Sequence, residues 1–399
     1  MNSTAEKNPT KLAMIAGLGM FLSTLDSGII NVAIPGLIDA FNSKISTVIW
    51  TMTLYTLVLS ASILFFGNLA DRFGRLRIYK YGLIIFAISS LLCGASLSIT
   101  QLIICRALQG VSAAMMQATA LALITTRLEG KFLAKAMGVF GVLLSLGPTL
   151  GPVVGGLILS SIGWRWIFWI NIPICLIGVY GCSKLHRVHE SLHSNKINLL
   201  NLLMLSMSLL AVLVLLNQFS NHHFYVSNII VTFLVLFMYS LLEFKSKHPI
   251  IPYALFKRLQ FSAPIIGAFA FGGATTIAFM MPPLYFQQLK FLLPWQVGLL
   301  CLATPVGLVL SSRLAARFVI KIGTNKLMFI GMMIMTLALF LMTQMAISWN
   351  NIFIICVLFI YGIGGGLFQT PCYLNITAQF SKERQAFITA LTRMLQNLS

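Results

Sequence analysis

Apolar runs of about twenty residues, separated by short polar breaks, recur along the whole of this 399-residue chain. They fall at about 12–35, 47–67, 77–98, 100–125, 138–161, 165–185, 198–218, 224–244, 262–286, 295–316, 327–347 and 351–374. Roughly 20 apolar residues in a helix cross about 30 Å of hydrocarbon, and only bonding within the segment satisfies the backbone there. The runs therefore predict twelve helical spans. The short alternating segments of a β-barrel are not seen. Hydrophobic residues make up 58% of the chain, charged residues 9%, and the mean hydropathy is +0.91, more apolar surface than a water-soluble core hides.

The formal charge of +19 would suggest nucleic acid as partner in a soluble chain, but its distribution excludes that reading. With the N-terminus inside, 23 of the 27 Lys and Arg residues fall in cytoplasmic segments. Only Lys44, Arg165 and Lys290 lie outside, and Arg106 lies within a span. This asymmetry predicts a multi-pass protein of the cytoplasmic (inner) membrane with a cytoplasmic N-terminus. The seven cysteines all lie in expected spans without metal-ligand or redox spacing and read as small apolar residues. The first run is too long for a signal peptide and ends in IPGLIDAF rather than a cleavage site. The longest break, HRVHESLHSNKI at 186–197, is a basic linker too short for a soluble domain. No nucleophile, metal or phosphate constellation appears at helical spacing, so no enzyme is expected, and no cofactor.

GNLADRFGRLRIY (Gly67 to Tyr79) follows span 2, and SSRLAARFVIKIG (Ser311 to Gly323) follows span 10 with the same LA.RF skeleton. Internal repeats are what duplicated transporter halves leave behind. If span 10 corresponds to span 2, the second half begins at span 9 and spans 7 and 8 are an inserted pair. The expected organisation is a six-helix bundle over 1–186, a linker with inserted spans over 187–250, and a second, incomplete bundle over 251–399. ERQAFITALTRMLQNLS, from Glu383, reads as the start of a thirteenth span, giving a fourteen-span architecture truncated at its C-terminus. A complete twelve-span protein with a coincidental repeat is the alternative.

In the first turn motif, Gly67 allows close helix approach and Gly74 a tight turn, while Asp71 can accept from Arg72, Arg75 or Arg77. Such a cluster can close one cytoplasmic interface and break when two halves rock. In span 5, Gly147, Gly151 and Gly155 recur every four residues as a bare stripe against which a second helix can press. Gly138, Pro152 and Gly156 belong to the same pattern, and the prolines Pro148 and Pro152 permit a bend.

Span 1 holds LDSGIINVAIP, with Asp26, Asn31 and Pro35, and Asp26 is the only acid in the interior of any span. An ionisable group there costs several kcal/mol unless paired, hydrated or neutralised, which favours a functional role. Counting at 1.5 Å per residue places Asp26 roughly 13 Å and Arg106 roughly 9 Å from the external ends of spans 1 and 4, so the two can face one another. A static pair locking the two spans is the alternative to a proton site. A cavity lined by Phe21, Asn31, Gln109, Met115, Met116 and Gln117 would be apolar and adaptable, suited to bulky lipophilic molecules.

GNLADRFGRLR matches the loop signature of the major facilitator superfamily, the span 5 glycines resemble its antiporter signature, and LDSGIINVAIP resembles the first helix of its fourteen-span drug/proton antiporter branch. CRALQGVSAA, with Arg106, Gln109 and Gly110, resembles the span 4 signature of proton-dependent members, and WRWIFWINIP from Trp164 matches the junction of spans 5 and 6. The second loop copy departs by carrying Ala316 where the first has Asp71. The resemblance implies an all-α membrane fold of two helical bundles and proton-coupled efflux of lipophilic drugs. It implies that Asp26 exchanges its proton with substrate and that Arg106 tunes its ionisation. The implied partners are a lipophilic small molecule, protons and the lipid bilayer, together with a periplasmic adaptor protein if the cell has an outer membrane. A narrow-specificity metabolite or siderophore facilitator and a non-transporting remnant are the competing readings.

The orientation is directly testable. In a background lacking native cysteines, Lys44→Cys reacts with an impermeant maleimide in intact cells, and Lys131→Cys reacts only after the membrane is opened. The reverse pattern would overturn the assigned topology.

Overall fold

The computed structural model describes residues 8–185, 199–220, 226–244, 259–292, 294–345, 349–378, 390–394 and 396. The described residues form helices and turns only. α1 (Pro9–Phe41) starts at Asn8, whose side chain accepts from the Lys11 amide, with Pro9 in the first turn where its missing N–H is no loss. It is followed by α2 (Ile45–Phe73), α3 (Arg75–Gly94), α4 (Ile99–Thr125), α5 (Gly130–Ser161), the short α6 (Trp166–Trp169) and α7 (Asn171–Ser183). Then come α8 (Leu199–Ser220), α9 (Val226–Phe244) and α10 (Leu259–Leu284), which ends in a π-helical turn at Tyr285–Leu289. The last are α11 (Pro294–Cys301), α12 (Ala303–Ile322), α13 (Thr324–Thr343) and α14 (Asn351–Ala378).

All twelve apolar runs are helical, α6 with α7 forming the sixth and α11 with α12 the tenth. Among the described residues, ten helices are long and apolar enough to cross a membrane. The other two apolar runs form α8 and α10, helices of 22 and 26 residues, whose apolar stretches among the described residues are Leu203–Val212 and Ala263–Phe279. Side chains such as Phe233 and Phe244 on α9, and Phe329 and Phe340 on α13, are exposed, a surface suited to lipid rather than water.

The pairing of helices repeats. α4 packs extensively on α2 and α3, and α14 packs in the same way on α12 and α13. Both α2 and α12 end at a glycine with positive φ, Gly74 (φ 102°) and Gly323 (φ 87°), whose N–H groups return to Ala70 O and Val319 O. Only glycine adopts that backbone cheaply, so the two caps mark equivalent positions. They correct the register of the repeat by one helical turn relative to the LA.RF skeleton. Ile320, not Ala316, stands at the position of Asp71, and the second copy lacks the acid in either register.

The glycine stripe of α5 meets α1, and among the described residues this is the most extensive helix pair. A Cβ on Gly151 would lie 2.7 Å from Gly28 Cα, one on Gly155 3.1 Å from Ile29 Cα, and one on Gly147 2.9 Å from Leu25 N. The other side of α5 faces the second bundle, where Gly138 lies near Arg313 of α12 and Val153 near Gly298 of α11. Gly156 is half-buried, and the Pro152 side chain lies outside the described residues. α3 also grips α1: the Tyr79 hydroxyl accepts from Gly19 N (2.8 Å) and donates to Ile15 O (2.5 Å), the two groups that one helical hydrogen bond would join.

Two substitutions separate close backbone approach from ordinary packing. Gly151→Ala forces α1 and α5 apart and lowers stability by about 1–3 kcal/mol, the usual range for overpacking. Gly138→Ala, whose Cβ meets only Arg313 Cγ at 3.7 Å, stays within about 0.5 kcal/mol. Thermal unfolding of the two variants in detergent measures the difference.

Candidate functional site

The polar stretch of α1 around Asp26 satisfies most of its own hydroxyls locally. Ser23 and Thr24 donate to Met20 O, and Ser27 donates to Ser23 O. A carboxylate has no such recourse, because an ionised acid only accepts. Asp26 is 1% exposed, and every donor that reaches it comes from another helix.

Arg106 of α4, fully buried, forms an ion pair through Nη1 with Asp26 Oδ2. Gln109, one turn along α4, donates from Nε2 to Asp26 Oδ1 at 3.1 Å and to Ser90 Oγ of α3 at 2.9 Å. Asn171, at the start of α7, donates from Nδ2 to the same Asp26 oxygen at 3.1 Å. The guanidinium is held on its remaining sides. Its Nη1 also donates to Gln109 Oε1 at 2.6 Å, its Nε donates to the Thr51 carbonyl of α2 at 3.0 Å, and it lies 4.2 Å from the centre of the Tyr55 ring and 6.0 Å from that of Phe168. Five helices and the short α6 thus converge on one ion pair. Taking two charges out of water costs several kcal/mol per ion, and only this density of partners offsets it.

The residues expected from the sequence divide into four groups. Asp26, Arg106 and Gln109 are brought together, with Gln109 inside the network rather than on a cavity wall. Gln117 joins α4 to α1 through a hydrogen bond from Nε2 to Ser23 Oγ (3.2 Å), and Phe21 lies half-buried beside the hydrophobic cluster that includes Leu25 and Ile29. Met115 and Met116 are both buried, and they press on Gly82 of α3, where an added Cβ would lie 3.0 Å from Met115 Cβ and 3.0 Å from Met116 Cγ. In this conformation they pack α4 against α3. The side chain of Asn31 lies outside the described residues.

The turn motif stands at the other end of the bundle. Arg75 Nε and Nη2 both approach Asp71 Oδ1, at 2.9 and 2.8 Å, across the Gly74 turn, and both side chains are buried. Arg72 lies over the Phe73 ring, Arg77 is exposed and Gly67 is buried. Of the three arginines, Arg75 is the partner of the acid in the described contacts.

Sequence reasoning missed Asn171, Ser90, Thr51 and Tyr55. Asn171 left a signal, an amide within the otherwise apolar WRWIFWINIP, because a polar group inside a span needs a reason. Thr51 contributes through its backbone carbonyl, which no residue type announces.

Residues 16–399 match the profile of the Major Facilitator Superfamily. The riboflavin transporter RibZ of Clostridioides difficile (strain 630) is 31% identical over 389 residues, covering 97% of this chain and 84% of that protein. The multidrug transporter protein MdtP of Bacillus subtilis (strain 168) is 28% identical over 404 residues, covering 98% of this chain and 74% of that protein. Among solved structures, the human organic anion transporter MFSD10 (TETRAN) superposes with a TM-score of 0.70 at 16% identity, covering 98% of this chain and 91% of that one. With the fold, the repeated helix pairing and a match that takes in nearly the whole sequence, the chain belongs to the Major Facilitator Superfamily.

Proposed function

We propose that this transporter is a proton-coupled antiporter of the drug/proton branch, exporting lipophilic small molecules across the cytoplasmic membrane, with its N-terminus inside and the proton as coupling ion. The observation that carries the reading is the buried Asp26, the one acid in the interior of a span, held by an arginine that has other partners. When Asp26 takes a proton, Arg106 keeps the Thr51 carbonyl, Gln109 Oε1 and the Tyr55 face, so neutralising the acid does not strand a bare cation. The tie between α1 and α4 weakens while α1 stays seated on the glycine stripe of α5. That combination lets one helix shift without unpacking the bundle. Substrate arriving from the cytoplasm drives the proton off again, and the Asp71–Arg75 pair closes the cytoplasmic side between cycles.

The likeness to MdtP, a multidrug transporter protein, supports a drug-like substrate. A methylenomycin A resistance protein of Bacillus subtilis (strain 168), 30% identical over 338 residues and covering 83% of this chain and 72% of that protein, points the same way. The riboflavin transporter among the relatives favours a second reading, a carrier of one polar metabolite.

Everted vesicles energised with a proton gradient test both. The wild type accumulates ethidium and ignores riboflavin, and the reverse selectivity would establish the second reading. Asp26→Asn folds and loses uphill accumulation; a folded Asp26→Asn that still pumps uphill sinks the coupling role. Arg106→Ala loses about 3–5 kcal/mol of stability by stranding the buried carboxylate. Combining it with Asp26→Asn recovers part of that loss, as thermal unfolding in detergent would show.

A further inference from the structure

We infer that Asn171 is the residue that reads the protonation state of Asp26, its amide donating to the carboxylate and, turned end for end, accepting from the carboxylic acid. The inference rests on the reading of Asp26 as the proton site.

In the structure the Asp26 side chain accepts from Arg106, Gln109 and Asn171, an arrangement suited to an anion. Binding a proton forms one O–H bond on Asp26 and breaks one on the hydronium ion that delivers it from the aqueous side, leaving water. The site must then supply an acceptor where it previously supplied donors, since a buried donor left without one costs about 1–3 kcal/mol. The acceptors around Asp26 are already engaged. Gln109 Oε1 receives Arg106 Nη1 and the Cys93 thiol, Ser90 Oγ receives Gln109, the Thr51 carbonyl receives Arg106, and the Ser23 carbonyl receives the Tyr55 hydroxyl. Asn171 Oδ1 is different. It is fully buried and without a hydrogen-bond partner among the described residues, on a side chain whose other end already touches the carboxylate.

A half-turn of the amide exchanges Nδ2 for Oδ1 and turns the donor into an acceptor without moving the backbone. The other titratable groups facing Asp26 are Arg106 on α4, Tyr55 on α2, Cys93 on α3 and Cys175 on α7. Arginine has no acceptor, and the hydroxyl and thiols offer weaker or already committed ones. Asn171 also stands where a change of partner has mechanical reach. It is the first residue of α7, directly after the break at Ile170 that separates it from α6, and α6 carries Phe168 beside the Arg106 guanidinium. The amide therefore joins the charge state of Asp26 to the joint in span 6.

Difference infrared spectroscopy of the purified full chain during a pH titration tests this without a transport substrate. The wild type shows one carboxylic acid C=O band that Asp26→Asn removes. Asn171→Leu, similar in size but without donor or acceptor, shifts that band to higher frequency, because the acid O–H loses its partner. Asn171→Ser, smaller but able to donate and accept, leaves it near the wild-type position. If Asn171 matters only for packing, the pattern inverts, with leucine tolerated and serine disruptive. Should the leucine variant fail to fold, Asn171→Ala against Asn171→Ser makes the same comparison. An Asp26 band unmoved in both apolar variants overturns the role of Asn171 and leaves that of Asp26 intact. Absence of any band that Asp26→Asn removes overturns the proton-site reading and this inference with it.

Discussion

The ion pair between Asp26 and Arg106 sets terms that the rest of the first bundle must meet. Neither charge is tolerable alone in a region that lipid surrounds, and a pair is tolerable only when its remaining lone pairs and protons are also matched. That requirement draws α1, α2, α3, α4 and the α6–α7 segment to one point, through Asp26, Thr51, Ser90, Gln109 and Asn171. It also explains why a membrane protein carries so polar a centre inside so apolar a shell.

The helix that carries Asp26 is seated on α5. Glycines at Gly147, Gly151 and Gly155 bring the two backbones together, with Leu143 against Gly17 of α1 and Leu159 against Gly36 of α1 flanking them on the same row of α5. The same helix turns its other side to α11 and α12, so a movement of α1 lies one helix away from the interface between the bundles. At the end of the bundle that carries the turn motif, α3 begins with the buried Arg75 and one turn later presents Tyr79, whose hydroxyl bridges Ile15 and Gly19 of α1. The turn motif and the Asp26 centre are thus joined through two helices, α3 and α1. This is a continuous mechanical connection rather than a demonstrated allosteric path.

The one-dimensional features of this protein were legible in its residues. Helical spans follow from the length of apolar runs, and the meeting of Asp26 with Arg106 from residue counts along two helices at 1.5 Å per residue. The glycine stripe was legible as a contact face, though not which helix it touches. The direction in which a side chain points around a helix was harder. Met115 and Met116 read as adaptable cavity residues, yet they fill the gap over Gly82, since methionine suits a core gap and a pocket equally. The repeat was visible but misregistered by one turn, because a short apolar skeleton matches itself at several helical offsets whereas a positive-φ glycine cap does not.

What the sequence determined by itself is therefore what the bilayer imposes locally: helix, span, and the cost of a lone acid at depth. Each depends on one segment and its solvent. Only the tertiary structure decided which donors surround that acid, because hydrogen-bond partners such as Asn171, Ser90 and the Thr51 carbonyl lie far apart in the chain and meet through helix packing. A partner of a buried charge is defined by distance and angle within a few tenths of an ångström. No periodicity along a sequence carries that information.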